Sequence, residues 1–108
     1  MAVQLLDPWC DVADLGPDIA ATFERVLARE VAPGHPLYAI PVAAVGKHGG
    51  CDDVLFRLLD GSGWVAVVHL TWTQSPPERL PLPVTELFSS AEAFAKQRMA
   101  PDHMEFIA

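Results

Sequence analysis

The segment from residue 51 to residue 72 constrains the fold more than any other part of the chain, because two apolar runs there flank the turn sequence Asp-Gly-Ser-Gly at 60–63. Runs rich in Val, Leu and aromatic residues around such a turn are typical of a β-hairpin. We therefore predict antiparallel strands at 53–59 and 64–72. Both strands are apolar on both faces, so each face of the sheet needs a covering layer. The second strand ends in the most distinctive side chains of the segment: His69, Thr71 and Trp72.

A single apolar stripe predicts a helix from Pro17 to about Ala32. Its members recur at i, i+4, i+7, i+8 and i+12, which is the spacing of one helical face: Ile19, Phe23, Val26, Leu27 and Val31. Pro17 suits the first position of a helix. Pro33 and Gly34 cannot continue it, so the helix is expected to end just before them.

The chain on either side of this helix is less regular. Residues 1–15 carry turn signals without a clean period, so we predict an irregular arm, anchored by Leu5, Leu6 and Trp9. Residues 38–45 favour a first strand. Pro41 within that strand cannot donate a ladder hydrogen bond, which predicts either an edge strand or a strand broken by a bulge.

Residues 73–84 contain four prolines. Such a run favours extended or polyproline-II backbone and cannot form a central strand. It is too short and too apolar for a free linker between domains. We therefore predict a loop that crosses the fold and lays three apolar side chains on its surface: Leu80, Leu82 and Val84.

A second helix is predicted because Ser89 and Glu92 form a capping box, with its end near Met99 imposed by Pro101. The resulting order is α-β-β-β-α, an α+β fold in which two helices pack on a three-stranded antiparallel meander. The 108 residues are expected to form a single domain, 1–108. A small sheet that is apolar on both faces often leaves surplus hydrophobic surface, so a homodimer formed through sheet edges or the proline loop is a further expectation.

The charge of the chain is lopsided, since fourteen acidic residues against seven basic ones give a formal net charge of −7. This charge repels phosphate backbones and anionic lipid, so we expect neither a nucleic-acid nor a membrane partner. A basic protein is the charged partner that such a surface would attract. The carboxylates expected to contact it are Asp11, Asp14, Asp18, Asp52 and Asp53.

Nothing in the sequence indicates export. No stretch reaches the roughly 18 apolar residues of a membrane-spanning helix, and the first residues lack the basic region of a signal peptide. We therefore expect a cytoplasmic protein. In that compartment Cys10 and Cys51 would remain reduced thiols.

The sequence Val-His-Leu-Thr-Trp at 68–72 resembles the hydrophobic-His-x-Thr-hydrophobic motif of two-histidine phosphoesterases. The resemblance implies that His69 acts as a general acid or base while Thr71 orients a phosphate oxygen. That mechanism needs two such motifs facing each other. None of the other histidines has Thr or Ser two positions on: His35, His48 and His103. The alternative is that His69 and Thr71 share one strand face and bond to neighbouring groups.

Three other kinds of site have weaker patterns. The chain lacks the close pairs of zinc sites, such as C-x2-C or H-x3-H, so we expect no metal and no cofactor. The residues that a metal would have to use are Cys10, Cys51, His35, His48, His69, Asp52 and Asp53. Cys51 follows a glycine turn near His48, as a nucleophile could, but the adjacent aspartates would raise the pKa of its thiol. Those aspartates would not form a dyad on a strand, because consecutive residues face opposite sides.

Two segments, Asp-Asp-Val-Leu-Phe at 52–56 and Val-Val-His-Leu-Thr-Trp at 67–72, together with His-Pro-Leu at 35–37, resemble a group of uncharacterised small bacterial proteins of about this length. The resemblance covers about the central half of the chain. It implies a cytoplasmic protein of this fold size and brings no activity with it.

The sequence leaves several classes of function open. The favoured one is a non-enzymatic protein-binding module, of which an immunity protein that blocks a basic toxin is one example. The alternative is a small hydrolase or phosphoesterase that uses His69 and Thr71, completed across a dimer by His35 or Asp53. A structural subunit of a larger assembly fits the apolar composition as well. A binding module needs a contiguous acidic patch away from any pocket, whereas the enzyme needs His69 exposed in a cleft beside a second polar group.

Overall fold

A computed structural model describes residues 3–108 and shows an α+β fold built on one antiparallel sheet. In the described residues the sheet has five strands, and their order across the sheet follows the chain. Every neighbouring pair is antiparallel. The strands are β1 (Trp9–Asp11), β2 (Val42–His48), β3 (Asp53–Leu58), β4 (Val65–His69) and β5 (Thr85–Phe88).

The predicted hairpin is present as β3 and β4, which pair with Phe56 opposite Ala66 and Asp53 opposite His69. Every residue of β3 except Arg57 is buried, and every residue of β4 except His69. Burial therefore alternates on neither strand, which confirms that both faces of the hairpin are covered. β4 is shorter than predicted, and the chain leaves the sheet after His69.

Two short strands enlarge the predicted three-stranded meander to five. β1 and the 3₁₀ turn that follows it (Val12–Leu15) lie in the segment 1–15, so the prediction of an irregular arm there is wrong. β5 directly follows the proline-rich segment. These strands have three and four residues and lie at the two edges of the sheet. Their pairing depends on contacts with distant residues, because strands this short carry no readable period.

Of the two alternatives predicted for 38–45, an edge strand or a strand broken by a bulge, the edge strand is wrong, because β2 lies between β1 and β3. The strand begins at Val42, just after Pro41, and the missing N–H of the proline does not interrupt the ladder. The pairing of β2 with β3 shifts register between Ala44 and Gly46, which is the irregularity of a β-bulge.

The first helix, α1, spans Ile19–Glu30, within the predicted range. Its last residue receives the proline-rich segment, because the backbone N–H of Glu78 donates to the carbonyl oxygen of Glu30 at 2.9 Å. That segment crosses the fold as an irregular loop before β5. Its three predicted surface residues are exposed: Leu80, Leu82 and Val84.

The second helix begins one residue later than predicted. Its N-cap is Ser90, whose hydroxyl oxygen accepts the backbone N–H of Ala93 at 3.0 Å, so the assignment of Ser89 as N-cap is wrong. The helix opens as α2 (Ala91–Phe94), which packs beside the end of β5.

Pro101 does not end this helix as predicted. The chain passes from α2 through a π-helical turn (Ala95–Met99) into α3 (Ala100–Ile107), and these three segments together are the C-terminal helix. Pro101 lies in the first turn of α3. A backbone N–H in the first turn of a helical segment donates no hydrogen bond within that segment. The π turn therefore places the proline where its missing N–H is tolerated.

Helices on opposite faces of the sheet enclose two apolar cores. On one face Phe23 of α1 packs with Phe56 and Val68. On the other face Phe94 of the C-terminal helix packs with Leu55, in a core that also includes residues of the edge strands β1 and β5. The result is a three-layer arrangement, helix on sheet on helix. No helix in residues 3–108 has the length and apolar character required to traverse a bilayer.

Candidate functional site

The candidate site lies where β4 ends, on the face covered by the C-terminal helix. The register opposes His69 to Asp53, and Nδ1 of His69 lies 2.8 Å from Oδ1 of Asp53. An ionised carboxylate can only accept a hydrogen bond, so Nδ1 of the imidazole donates. The neutral ring then carries its lone pair on Nε2, which is the arrangement of a histidine held by a carboxylate to act as a base.

Arg98 of the C-terminal helix holds the second oxygen of that carboxylate. Its Nη2 donates to Oδ2 of Asp53 at 2.6 Å, Nη1 donates to Glu86 at 2.7 Å, and Nε donates to Asp102 at 2.8 Å. The guanidinium also lies over the ring of Trp9, 5.5 Å from the centroid. We call Asp53, His69, Glu86, Arg98 and Asp102 the Arg98 network.

The network fixes the charge of its central members. Burial opposes the charged form of Asp53, but the hydrogen bonds from Arg98 and His69 outweigh burial and hold the pKa of this carboxyl below its usual value. Burial likewise opposes the charge of Arg98, and the carboxylates of Asp53 and Asp102 outweigh it, so its pKa is raised. Arg98 thus donates to three carboxylates, those of Asp53, Glu86 and Asp102.

His69 faces a cleft of about 260 Å³, lined by residues of four elements: Asp53, Val67, His69, Val84, Glu86 and Arg98. Its side chain is 52% exposed, while that of Asp53 is 13% exposed. A solvent-accessible imidazole beside a buried carboxylate can take a proton from a water or a substrate group in this cleft.

Thr71 is not part of this arrangement. Its backbone N–H donates to the carboxylate of Glu30, at the end of α1, and its hydroxyl accepts the N–H of Thr73 at 3.3 Å. The helix α1 lies on the opposite face of the sheet from Arg98. The hydrogen-bond partners of Thr71 are therefore Glu30 and Thr73, outside the Arg98 network.

The exposed carboxylates form a different region. Asp7, Asp11 and Asp14 are exposed around Cys10, and we call these three the acidic patch. Burial raises the pKa of the Cys10 thiol, and the charge of Asp14 is the next largest cause of the rise. The nearby cation, Lys47, donates its Nζ to the carbonyl oxygens of His48 and Cys51.

The remaining predicted binding carboxylates lie elsewhere. Asp18 is the exposed N-cap residue of α1, and its side chain makes no cap hydrogen bond. Asp52 is exposed in the turn before β3. Asp53 is buried and engaged in the Arg98 network, so it stands apart from the exposed acidic surface.

The other candidate residues have local structural partners. Burial raises the pKa of the Cys51 thiol, and the charge of Asp53 adds to this rise, which leaves little reactive thiolate. Nδ1 of His35 accepts the N–H of Leu37, so its Nε2 donates towards the carbonyl oxygen of Pro83 at 3.0 Å. Both cysteines are free. In the described part of the chain no three His, Cys, Asp or Glu side chains are grouped as a metal would require.

Two important residues were missed by the sequence reasoning. Arg98 lies within the predicted second helix, and its partners lie up to 45 residues away. Glu30 counted only as one acid among fourteen, although it is 2% exposed and bonded to residues 71 and 72. The sequence signal was weak in both cases, because a single arginine or glutamate in an amphipathic helix does not indicate which distant residue it will contact.

Comparison with known proteins adds no relative. No protein-family model matches the chain, and neither the curated proteins nor the solved structures give a match. The functional inference therefore depends on the geometry and charge of this chain.

Proposed function

We propose that this protein is a non-enzymatic module that binds a basic protein, in the cytoplasm. An immunity-type inhibitor of a basic toxin or effector is one form of such a module. The observation that supports it is the acidic patch, in which Asp7, Asp11 and Asp14 lie exposed together on a chain of net charge −7. Complementary charge of this kind speeds association and selects the partner.

Exposed apolar side chains add to the case for a binding surface. The large hydrophobic residues that remain more than a third exposed include Leu80, Leu82, Val84 and Leu87 around the edge strand β5. They also include Met104, Phe106 and Ile107 at the end of the C-terminal helix. Apolar groups bordered by charge are typical of surfaces that contact other proteins.

The test is affinity purification of the full chain from its native host, followed by native mass spectrometry. We expect a basic protein at fixed stoichiometry. The triple variant Asp7→Asn, Asp11→Asn, Asp14→Asn should then bind it at least about tenfold more weakly, since rim charges act on association. The matched control removes the same charge from sites outside the acidic patch and outside the end of the C-terminal helix: Asp60→Asn, Glu78→Gln and Glu92→Gln. Equal losses in both triple variants, or the absence of any basic partner, would contradict the proposal.

The Arg98 network favours a second candidate, a small hydrolase in which His69 acts as general base. The supporting observation is the 2.8 Å contact between Nδ1 of His69 and Asp53 at the edge of an open cleft. In this candidate Asp53 orients the imidazole, and Nε2 removes a proton from the attacking water. Arg98 positions Asp53.

Activated esters and phosphodiesters test this candidate directly. With p-nitrophenyl acetate and bis(p-nitrophenyl) phosphate, we expect turnover that His69→Gln reduces by about 10²-fold, the typical contribution of a general base. His103→Gln is the matched control, because His103 lies outside the cleft. Turnover that is equal in both variants, or missing in the unmodified protein, would exclude His69 as a catalytic base for these substrates.

A further inference from the structure

A second buried carboxylate lies on the opposite face of the sheet. Glu30, the last residue of α1, is 2% exposed. Its Oε1 accepts the N–H of Thr71 at 3.0 Å, and its Oε2 accepts the N–H of Trp72 at 2.8 Å. Both oxygens act as acceptors, which is the pattern of an ionised carboxylate.

This carboxylate has no cation beside it. In residues 3–108, no Lys, Arg or His nitrogen forms a salt bridge with Glu30. The end of a helix also carries partial negative charge from its free carbonyls, so the position of Glu30 on α1 adds to the local negative potential. Buried charges in proteins are normally paired. Backbone amides satisfy the hydrogen bonds of Glu30 but leave its charge uncompensated.

Glu30 lines a cleft of about 410 Å³, together with Val26, Arg29, Trp72, Thr73, Gln74 and Pro76. It is the only one of these residues that is buried, so it lies at the deep end. Trp72 lies at the mouth of the cleft and is 43% exposed. Its ring packs edge-on against the ring of Phe23, with the two ring centroids 6.1 Å apart. Its backbone has a φ of 54°, in the left-handed region that a tryptophan rarely adopts.

From this combination we infer that the cleft binds a cationic side chain, the guanidinium or ammonium group of an arginine or lysine. The carboxylate of Glu30 supplies the missing counter-charge, and the exposed face of Trp72 supplies a surface on which cations bind. The inference rests on the proposed function, because it names the group of the basic partner that this module recognises.

Arg29 lies at the rim of the same cleft and is exposed. It is adjacent to Glu30 in α1, and neighbouring helical residues point about 100° apart, so it does not reach the carboxylate as an ion pair does. Its positive charge opposes the entry of another cation. Removal of that charge should therefore strengthen binding, whereas removal of the Glu30 charge should weaken it.

The test is a titration of the full chain with arginine amide, followed by NMR of the Trp72 indole N–H and by calorimetry. Citrulline amide, which keeps the α-amino group and nearly the same shape but has a neutral urea in place of the guanidinium, is the ligand control. We expect arginine amide to bind about tenfold more tightly than citrulline amide, since one charge-assisted contact and one cation–π contact separate them. Arg29→Gln should tighten the binding of arginine amide about threefold.

Two variants test the two halves of the site. Glu30→Gln should reduce the preference for arginine amide over citrulline amide to the part that the cation–π contact with Trp72 supplies. Because Glu30→Gln also affects a buried group, Trp72→Leu provides a second test on an exposed side chain, with Trp64→Leu as the matched control at a tryptophan that is 40% exposed outside the cleft. Trp72→Leu should weaken binding about fivefold and Trp64→Leu should leave it unchanged. Equal affinity for the two amides would overturn the inference.

The source of the cation is tested by putrescine, a small free dication. Tighter binding of putrescine than of arginine amide would overturn the assignment to a protein side chain. This experiment is independent of the acidic patch, so the two proposals fail separately. If a basic partner is captured and Glu30→Gln and Trp72→Leu bind it normally, the cleft inference fails and the proposed function stands.

Discussion

Asp53 and Glu30 are both buried carboxylates near the end of β4, on opposite faces of the sheet, and the protein treats them differently. Asp53 bonds to charged and titratable side chains, Arg98 and His69. Within residues 3–108, the carboxylate of Glu30 bonds only to the backbone N–H groups of Thr71 and Trp72. One carboxylate therefore has its counter-charge within the chain, and the other has only its hydrogen bonds.

The difference shows that hydrogen bonding and charge compensation are separate requirements of a buried acid. Both carboxylates meet the first, since no buried side-chain polar atom in the described residues lacks a partner. Asp53 also meets the second, because Arg98 supplies its counter-charge within a network that joins the sheet to the C-terminal helix. Glu30 does not, and its region opens into a cleft beside an exposed tryptophan. We therefore expect the first region to stabilise the fold and the second to attract a ligand.

The largest effect should come from Arg98→Met, which removes the cation on which this comparison depends. Loss of one partner leaves the carboxylates of Asp53 and Asp102 without a counter-charge, and breaking buried pairs of this kind costs about 3 kcal/mol. Urea unfolding at pH 7 measures the change in the free energy of unfolding.

Arg57→Gln is the control for this prediction, because Arg57 lies on the same strand as Asp53 and is exposed. Its substitution should change the free energy of unfolding by less than about 0.5 kcal/mol. If Arg98→Met were equally mild, the network would not stabilise the fold and the contrast with Glu30 would disappear.

Glu30→Ala should have the next largest effect. It leaves the N–H groups of Thr71 and Trp72 without their acceptor, at a cost of about 2 kcal/mol. Glu30→Gln retains an acceptor oxygen and should therefore be milder. The pair of variants, measured by urea unfolding, separates the hydrogen bonds of Glu30 from its charge. A loss in Glu30→Gln as large as that in Glu30→Ala would show that the charge itself stabilises the fold.

The extent to which the sequence predicts this fold differs between its centre and its edges. The hairpin of β3 and β4 follows from local information, since apolar runs and a glycine turn lie side by side. β1 and β5 do not, because strands of three and four residues are defined by partners elsewhere in the chain. The prediction that the helix ends near Met99, before Pro101, is wrong for a related reason. The spacing of apolar residues does not indicate the π turn that precedes Pro101.

The candidate sites follow the same division. The sequence singled out His69 by its place at the end of a strand, and the structure confirms that place. It also singled out Asp53, as one of several surface acids and as a residue that could complete the His69 site across a dimer. Nothing local indicates that Arg98 will cover it. Glu30 reads as an ordinary charge near the end of an amphipathic helix. Its burial depends on the loop after β4 turning back over α1, which no local pattern specifies.

The third prediction concerns acid. The folded structure holds the pKa of Asp53 below 3.8, its value in an unfolded chain. The unfolded state therefore takes up a proton first as pH falls, so the stability from this group is complete above about pH 4 and is lost below it. The free energy of unfolding, measured from pH 7 to pH 3, should fall less steeply in Asp53→Asn than in the unmodified protein. Identical slopes below pH 4 would mean that the Arg98 network does not favour the charged carboxyl.

The smallest effect should come from His69→Gln. This variant tests which of the two partners of Asp53, Arg98 or His69, supplies its counter-charge. The glutamine amide can still donate to Oδ1, and the side chain of His69 is half exposed, so the interaction is screened by solvent. We expect a change of about 0.5 kcal/mol in the free energy of unfolding at pH 7. A loss as large as that of Arg98→Met would place the counter-charge of Asp53 on His69. A small loss leaves Arg98 as the structural partner of Asp53 and His69 as a neighbour that can change at little cost to the fold.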